Sequence, residues 1–140
     1  MIEIDEKTDF GKRVLRRLEE ESVIWLTTVS EDESPHPRPV WFYWDGERFH
    51  IYSRPDTYKL EHLEAHPEVA LNFDSDGEGG DIVVFLGEAE IREDLPPANE
   101  LAPYTEKYAD DMQGLGMTPE EFAASYSVPI RVTPTKVRGH

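Results

Sequence analysis

Apolar residues recur with helical spacing near the start of the chain and with strand spacing through much of the rest. Phe10, Val14 and Leu18 lie on one stripe of a helix predicted over residues 8–21. Runs rich in β-branched and aromatic residues follow, and turn-forming residues bound each of them. These runs predict six strands, at residues 23–30, 38–44, 49–53, 68–73, 82–91 and 128–139.

The segments between the first strands have the composition of loops, a turn and a short helix. Residues 31–37, EDESPHP, predict a loop, and DGER at 45–48 predicts a hairpin turn. Asp56 is suited to cap a helix that begins directly after it. Lys59 then falls in the first turn, where a cation opposes the helix dipole. A negative partner for Lys59 is therefore expected.

Prolines divide the C-terminal third of the chain. A helical segment is expected after residues 95–97, with Pro103 dividing it. Thr118 followed by Pro119 and Glu121 predicts a second, short helix with a capping box. Pro129 and Pro134 predict that the last strand, at 128–139, is an edge strand or is bulged.

Short strands joined mostly by hairpins or short helices predict a mainly β fold, an antiparallel barrel with peripheral helices. Residues 1–140 are expected to form a single domain, since no linker or internal repeat interrupts them. The strands at 38–44 and 82–86 carry large apolar residues on both faces. An outward apolar face needs a cover, so a homodimer is expected.

Charge and composition exclude several classes of function. The formal net charge is -16, from 30 Asp and Glu against 14 Lys and Arg, so neither nucleic acid nor an anionic membrane is an expected partner. The longest fully apolar run, residues 82–86, is too short to span a bilayer, and the acidic N-terminal stretch does not resemble a signal peptide. A cytoplasmic location is expected. The absence of cysteine excludes disulfides, thiolate catalysis and cysteine-ligated metal centres.

Motifs for metal binding and for catalysis are incomplete. His62 and His66 lie four residues apart on one predicted helix, but no further ligand accompanies them, so no metal site is predicted. The acidic loop at 74–81 has Phe85 where a calcium loop needs a bidentate glutamate. No nucleophile elbow, P-loop or dinucleotide fingerprint is present, and no catalytic side chain is assigned.

One basic cluster stands out against the acidic background, at the junction between the third strand and the following helix. Its members are Arg38, Arg54 and Lys59, with the hydroxyls of Ser53 and Thr57 beside them. Backbone N–H groups at a helix start and cationic side chains together form a phosphate site. Ion pairs with some of the many acids explain the same residues equally well, so the sequence chemistry leaves both interpretations open.

The segment RPVWFYWDGERFHIYSRPDTYKLEHLEAHPEVALNF resembles the flavin-binding split-barrel family of pyridoxamine 5'-phosphate oxidase. The resemblance consists of Arg-x-Val and two bulky residues at 38–42, the FHIYS strand with Tyr52, Lys59 in the next helix, and the His66–Pro67 step. It continues through GEAEI at 87–91 and the terminal VTPTKVRG, and covers roughly residues 20–139.

The resemblance implies a six-stranded, dimeric split barrel with the cofactor lying between subunits. It implies that Arg38 and Lys59 bind the cofactor phosphate with the Ser53 hydroxyl beside it. Backbone bordering the cofactor ring is implied at Pro39, Val40 and Trp41, and the full cofactor-binding set also includes Tyr52, Arg54 and Thr57. Trp41, Tyr43 and Trp44 are expected either to wall a substrate pocket or to belong to a dimer core.

The short length and the TPTKV ending are most similar to the small split-barrel proteins that use the deazaflavin coenzyme F-420. Lys136 and Arg138 are then expected to attract its glutamate tail. Tyr58 replaces an arginine frequent in pyridoxamine phosphate oxidases, whose C-terminal arginine motif is also missing, so vitamin B6 oxidation is not expected. The resemblance implies an F-420-dependent hydride transfer to a small unsaturated substrate. The alternatives are an FMN-dependent oxidoreductase and a non-enzymatic flavin or haem binder.

Overall fold

Seven antiparallel strands form one curved sheet in the computed structural model, which describes residues 2–140. The strands are β1 (Ile24–Val29), β2 (Pro35–Val40), β3 (Tyr43–Trp44), β4 (Phe49–Ser53), β5 (Glu68–Asn72), β6 (Val83–Ile91) and β7 (Val128–Gly139). The helices among these residues are α1 (Asp9–Glu20), α2 (Tyr58–Ala65), α3 (Ala102–Gly114) and α4 (Pro119–Ser125), with a 3-10 turn at Ala98–Glu100. The strand order is β2-β1-β5-β6-β7-β4-β3. The predicted mainly β, antiparallel fold with peripheral helices is confirmed.

The predicted number of six strands is wrong, because the strand expected at 38–44 is divided. It breaks at Trp41 and Phe42, and the two sides become β2 and β3. The loop expected at 31–37 is also shorter than predicted, since Pro35 already pairs with Val29 of β1. Residues 31–34 form the turn between these two strands, and Glu33 adopts a positive φ of 67° there.

Alternating prolines explain how β2 can be a strand at all. Pro35, Pro37 and Pro39 are exposed, while the residues between them lie opposite buried positions of β1. A proline has no N–H to donate, so a strand with three of them fits only at an edge of a sheet. The side chains of His36 and Arg38 consequently share the inner face, opposite Thr28 and Leu26.

The last strand, β7, lies inside the sheet and not at its edge. It pairs with both β6 and β4, so the expectation of an edge strand is wrong. The expectation of a bulge is confirmed, since Leu86 pairs with Lys136 but Gly87 pairs with Pro134. The additional residue, Thr135, relieves the ladder at the position where proline supplies no donor.

Two hydrophobic clusters stabilise the fold. The first fills the barrel and includes the fully buried Phe42, Phe49 and Phe85. The second lies between the helices α3 and α4 and the barrel, and it is predominantly aromatic. It contains Tyr52, Tyr104, Tyr108, Met112 and Phe122, with Trp41 packed against it.

The acidic loop at 74–81 is held by arginines of α1. Asp76 accepts hydrogen bonds from the backbone of Glu78 and Gly80, at 2.8 and 2.9 Å. Asp81 lies 2.7 Å from Arg13, and the buried Arg17 donates to the Asp81 carbonyl at 3.0 Å. The loop therefore closes its own turn and anchors α1 to the sheet.

We expect Gly87→Ala to destabilise the protein by about 1–3 kcal/mol, the usual cost of overpacking a tight interior position. A methyl group there would lie 2.4 Å from the backbone oxygen of Thr133 at the bulge. Urea unfolding monitored by circular dichroism measures the change. Gly114→Ala is the matched control, because nothing lies within 4 Å of a Cβ there. Equal stability of the two variants would contradict the close approach.

Candidate functional site

An open cleft of about 1400 Å³ lies between α2 and the hairpin formed by β1 and β2. The inner-face residues of β2 form one wall, and the first two turns of α2 form the other. The cleft is lined by Thr28, Ser30, Glu31, Asp32, Ser34, His36, Arg38, Pro39, Asp56, Thr57, Tyr58, Lys59, Glu61, His62, Glu64 and Ala65. Arg38 and Lys59, which are far apart in sequence, therefore face the same space.

Neither cation of the cleft has an acidic partner among residues 2–140. The guanidinium of Arg38 donates to the Pro37 carbonyl at 2.9 Å, and the Lys59 amine donates to Ser53 Oγ at 3.3 Å. Burial lowers the pKa of Lys59, and the positive charge of Arg38 lowers it further. The alternative of ordinary ion pairs, which the sequence left open, is not found for these two residues. Their uncompensated charge makes the cleft suitable for an anion.

The first turn of α2 contributes to the same end of the cleft. The N-cap is Thr57, so the predicted cap at Asp56 is wrong by one residue. Thr57 Oγ1 bonds with Ser53 Oγ at 2.9 Å and makes no capping bond to the helix. The first-turn N–H groups consequently lack a side-chain cap, and helix N–H groups of this kind attract anions. Asp56 is exposed and lies 3.9 Å from Arg54 Nε.

A polar group of three side chains lies along the same cleft. The buried Thr28 hydroxyl and His62 Nδ1 are 2.8 Å apart, and the His62 ring lies 4.5 Å from the His36 ring, centroid to centroid. His36 Nε2 is covered and has no hydrogen-bond partner among the described residues. His62 thus faces Thr28 and His36, whereas His66 lies at the C-terminal cap of α2.

Several predicted cofactor-binding residues lie outside the cleft within one chain. Arg54 is exposed, and its guanidinium lies 6.0 Å from the Tyr126 ring. Tyr52 is buried beside α3, and its hydroxyl donates to the Pro96 carbonyl at 2.8 Å. Val40 packs against the barrel core. The structure brings together Arg38, Pro39, Thr57 and Lys59 in the cleft, with Ser53 in contact with Lys59 and Thr57.

Helix α3 fixes the break between β2 and β3, which sequence reasoning missed. Tyr108 Oη donates to the Ser22 carbonyl at 2.7 Å and accepts from Phe42 N at 2.8 Å. The Lys107 amine donates to the Phe42 carbonyl at 2.8 Å, and burial lowers its pKa to about 8. The Trp41 ring stacks on Tyr108, with the centroids 4.5 Å apart. Only the spacing of aromatic residues in 102–114 hinted at this contact.

Trp41, Tyr43 and Trp44 are three of the four aromatic residues at positions 41–44. Trp41 lies between the rings of Tyr108 and Phe122 in the second hydrophobic cluster. Tyr43 and Trp44 line a smaller cleft of about 680 Å³, together with Lys107. Trp41 is therefore part of the packing between helices and barrel, while the other two border a separate cleft.

Lys136 and Arg138 lie on the outer face of β7, opposite Leu86 and Val84 of β6. Both are exposed, and neither lines the cleft. Any contact with a ligand in the cleft would need a second subunit, so their role as binding residues remains a prediction.

A comparison with protein families matches residues 10–140 to the family described as pyridoxamine 5'-phosphate oxidase. The chain belongs to this family. General stress protein 26 of Bacillus subtilis is 33% identical over 85 residues, which are 59% of this chain and 60% of that relative. The match thus spans less than two thirds of the relative.

Solved structures of the pyridoxamine 5'-phosphate oxidase type have the same fold. A structure described as an F420 reductase is 27% identical, with a TM-score of 0.68 over 88% of this chain and 94% of its own. A putative pyridoxamine 5'-phosphate oxidase from Listeria innocua is 25% identical, with a TM-score of 0.67 over 91% of this chain and 94% of its own. The resemblance inferred from the sequence is confirmed.

None of the helices in residues 2–140 has the length and apolar character needed to cross a membrane. No group of three or more His, Asp or Glu side chains in that part of the chain is arranged to hold a metal ion.

We expect Lys59→Met to stabilise the ligand-free protein by up to about 1 kcal/mol, since it removes an amine whose charge is unfavourable in the fold. The folded-state pKa of Lys59 lies below its unfolded value. Its contribution to stability therefore rises with pH between those two values, and the variant lacks that rise. Urea unfolding at several pH values tests this. Lys12→Met, at an exposed position of α1, is the control, and a destabilised Lys59→Met protein would contradict the argument.

Proposed function

We propose that this protein is an oxidoreductase that binds reduced coenzyme F-420 and reduces a small unsaturated organic substrate. The observation that carries the proposal is that Arg38 and Lys59, beside the uncapped start of α2, have no acidic ion-pair partner among residues 2–140. The likeness to an F420 reductase at 27% identity supports the choice of cofactor.

The donors of the cleft fit a phosphate-bearing cofactor. A guanidinium, an amine, two hydroxyls and free helix N–H groups are all suited to bind phosphate oxygens. Arg38, Lys59 and Ser53 would bind the phosphate, and the backbone at 39–41 would border the ring. When bound, the reduced deazaflavin supplies the hydride. The role of the chain is to orient the ring and exclude water, and no side chain is assigned as an acid or base.

FMN is the second candidate cofactor. The family is described as pyridoxamine 5'-phosphate oxidase, and the same donors suit the terminal phosphate of a flavin mononucleotide. A difference in affinity between FMN and F-420 would have to come from contacts with the rest of the cofactor, for which Tyr58 and the other lining residues are available. Direct comparison of the two cofactors therefore decides between them.

We also propose that two copies of the chain associate through the outer face of the sheet. Leu86 is 37% exposed on β6, with Ala70 opposite it on β5 and the half-buried Val84 two residues before it. Water-facing positions of a sheet are normally polar, so this apolar patch suits a second copy. Lys136 and Arg138 lie beside it on β7 and would then approach the partner.

We expect Arg38→Ala and Lys59→Ala each to weaken cofactor binding by about 10- to 100-fold, as the loss of one charge-assisted hydrogen bond implies. Titration with F-420 and with FMN, followed by fluorescence, measures both affinities. Arg16→Ala is the matched control, because this exposed arginine of α1 does not line the cleft. If neither cleft variant weakens binding of either cofactor, the phosphate site is wrong.

Activity is tested separately with the cofactor that binds. Consumption of reduced F-420 is followed by absorbance with a panel of enones, quinones and biliverdin-like acceptors. Turnover with any of them supports the oxidoreductase. Binding without turnover across the whole panel would favour a protein that stores or senses a flavin or haem.

We expect Leu86→Glu to convert a dimer into a monomer, because a buried and unpaired carboxylate at the contact is costly. Size-exclusion chromatography with light scattering measures the mass, and circular dichroism checks the fold. Glu88→Gln, two residues along the same face, is the control and should remain dimeric. A wild-type protein that is monomeric at micromolar concentration would contradict the proposed association.

A further inference from the structure

The proposed function assigns no role to two imidazoles that line the cleft and can bind or release a proton, those of His36 and His62. Their ring centroids are 4.5 Å apart, and His62 Nδ1 is 2.8 Å from the Thr28 hydroxyl. His36 lines the cleft, and its Nε2 is covered and lacks a partner among the described residues. Covered polar atoms without a partner are uncommon and call for an explanation.

The fold directs His36 to the same space as the cation pair. His36 and Arg38 are two residues apart on β2, opposite the buried Thr28 and Leu26, so they share one face of the strand. Lys59 approaches that face from α2, one turn before His62. An anion held by Arg38 and Lys59 therefore lies in the cleft that both imidazoles border.

Both cations and carboxylates line the cleft around the two imidazoles. Burial lowers the pKa of His62, and the neighbouring His36 and Arg38 lower it further, while Glu61 and Asp32 act in the opposite direction. The other charged and titratable groups that line the cleft come from β2, from α2 and the residues just before it, and from the turn after β1. They are Arg38, Lys59, Tyr58, Glu61, Glu64, Glu31, Asp32 and Asp56. In the absence of an anion, positive charge on the pair is opposed by two nearby cations.

We propose that the His36–His62 pair is a proton-linked part of the anion site, which takes up one proton from solvent when a phosphate-type dianion binds. The inference rests on the proposed anion site at Arg38 and Lys59. The bound negative charge offsets the repulsion between a protonated imidazole and the two cations. The charge balance is one dianion and one proton entering a site that already holds two positive charges.

The sign of the pH dependence follows from this balance. Protons are bound more tightly in the anion-bound state, so affinity for the anion rises as pH falls through the range where the pair titrates. For uptake of one proton, the affinity changes by at most about tenfold per pH unit. A site built from Arg38 and Lys59 alone would bind the anion with nearly constant affinity across that range.

Sulfate is the probe, because it remains a dianion between pH 5 and pH 8. Isothermal titration calorimetry in buffers of different ionisation heat counts the protons taken up as sulfate binds. We expect uptake approaching one proton near pH 6 and a several-fold gain in affinity between pH 8 and pH 6. The double variant His36→Gln/His62→Gln should abolish both the proton uptake and the gain in affinity between pH 8 and pH 6. His66→Gln on α2 should behave as the wild type.

NMR titration of the imidazoles supplies a second measurement that does not depend on a variant folding. The chain has 5 histidines, so each ring signal can be followed with and without sulfate. We expect sulfate to shift the titration of His36 or His62 to higher pH and to leave His66 unchanged. Sulfate binding that requires Lys59 but takes up no proton would overturn this inference alone. Binding insensitive to both Arg38→Ala and Lys59→Ala would overturn the anion site itself.

Discussion

The hydroxyl of Tyr108 fixes the backbone at Phe42, and the position of the candidate site depends on this contact. It contacts Phe42 N, Phe42 O and the Ser22 carbonyl within 2.9 Å, which ties the end of α1, the break after β2 and helix α3 together. With the break fixed, β2 ends at Val40 and Trp41 turns into the aromatic cluster. The position of Arg38 on the edge strand thus depends on a tyrosine about seventy residues later in the chain.

Positive charge without a counter-charge is notable in a protein with 30 acidic and 14 basic residues. Several other arginines pair with acids, as Arg13 and Arg17 do with Asp81 and Arg92 does with Asp94. Two cations left without acids in a cleft cost folding free energy, and such costs concentrate at binding sites. The contrast with the paired arginines favours a binding role for Arg38 and Lys59 over a structural one.

Much of this architecture was predictable because the signals are local. The helix at 8–21, the capped helix after Thr118 and the paired strands follow from periodicity and capping. The divided strand was not, because the break at Phe42 depends on the distant Tyr108. The alternating prolines of β2 are compatible with an edge strand. The turn-forming composition of EDESPHP at 31–37 led instead to the prediction of a loop. The sequence chemistry grouped Arg38 with Lys59 and left ion pairs as an alternative, and the family resemblance favoured a phosphate site. The contact of His36 with His62 requires the folded cleft.

Charge is distributed unevenly along the cleft, and this limits what can occupy it. Arg38 and Lys59 are cations of the cleft, while its other lining residues include Glu31, Asp32, Glu61 and Glu64. At physiological salt, charges more than about 8 Å apart are largely screened, so acids elsewhere on the protein have little effect on an anion held at Arg38 and Lys59, and the acidic residues that line the cleft have the larger effect. A single phosphate with an uncharged remainder suits this pattern. A ligand with several carboxylates beside the acidic lining residues would be repelled.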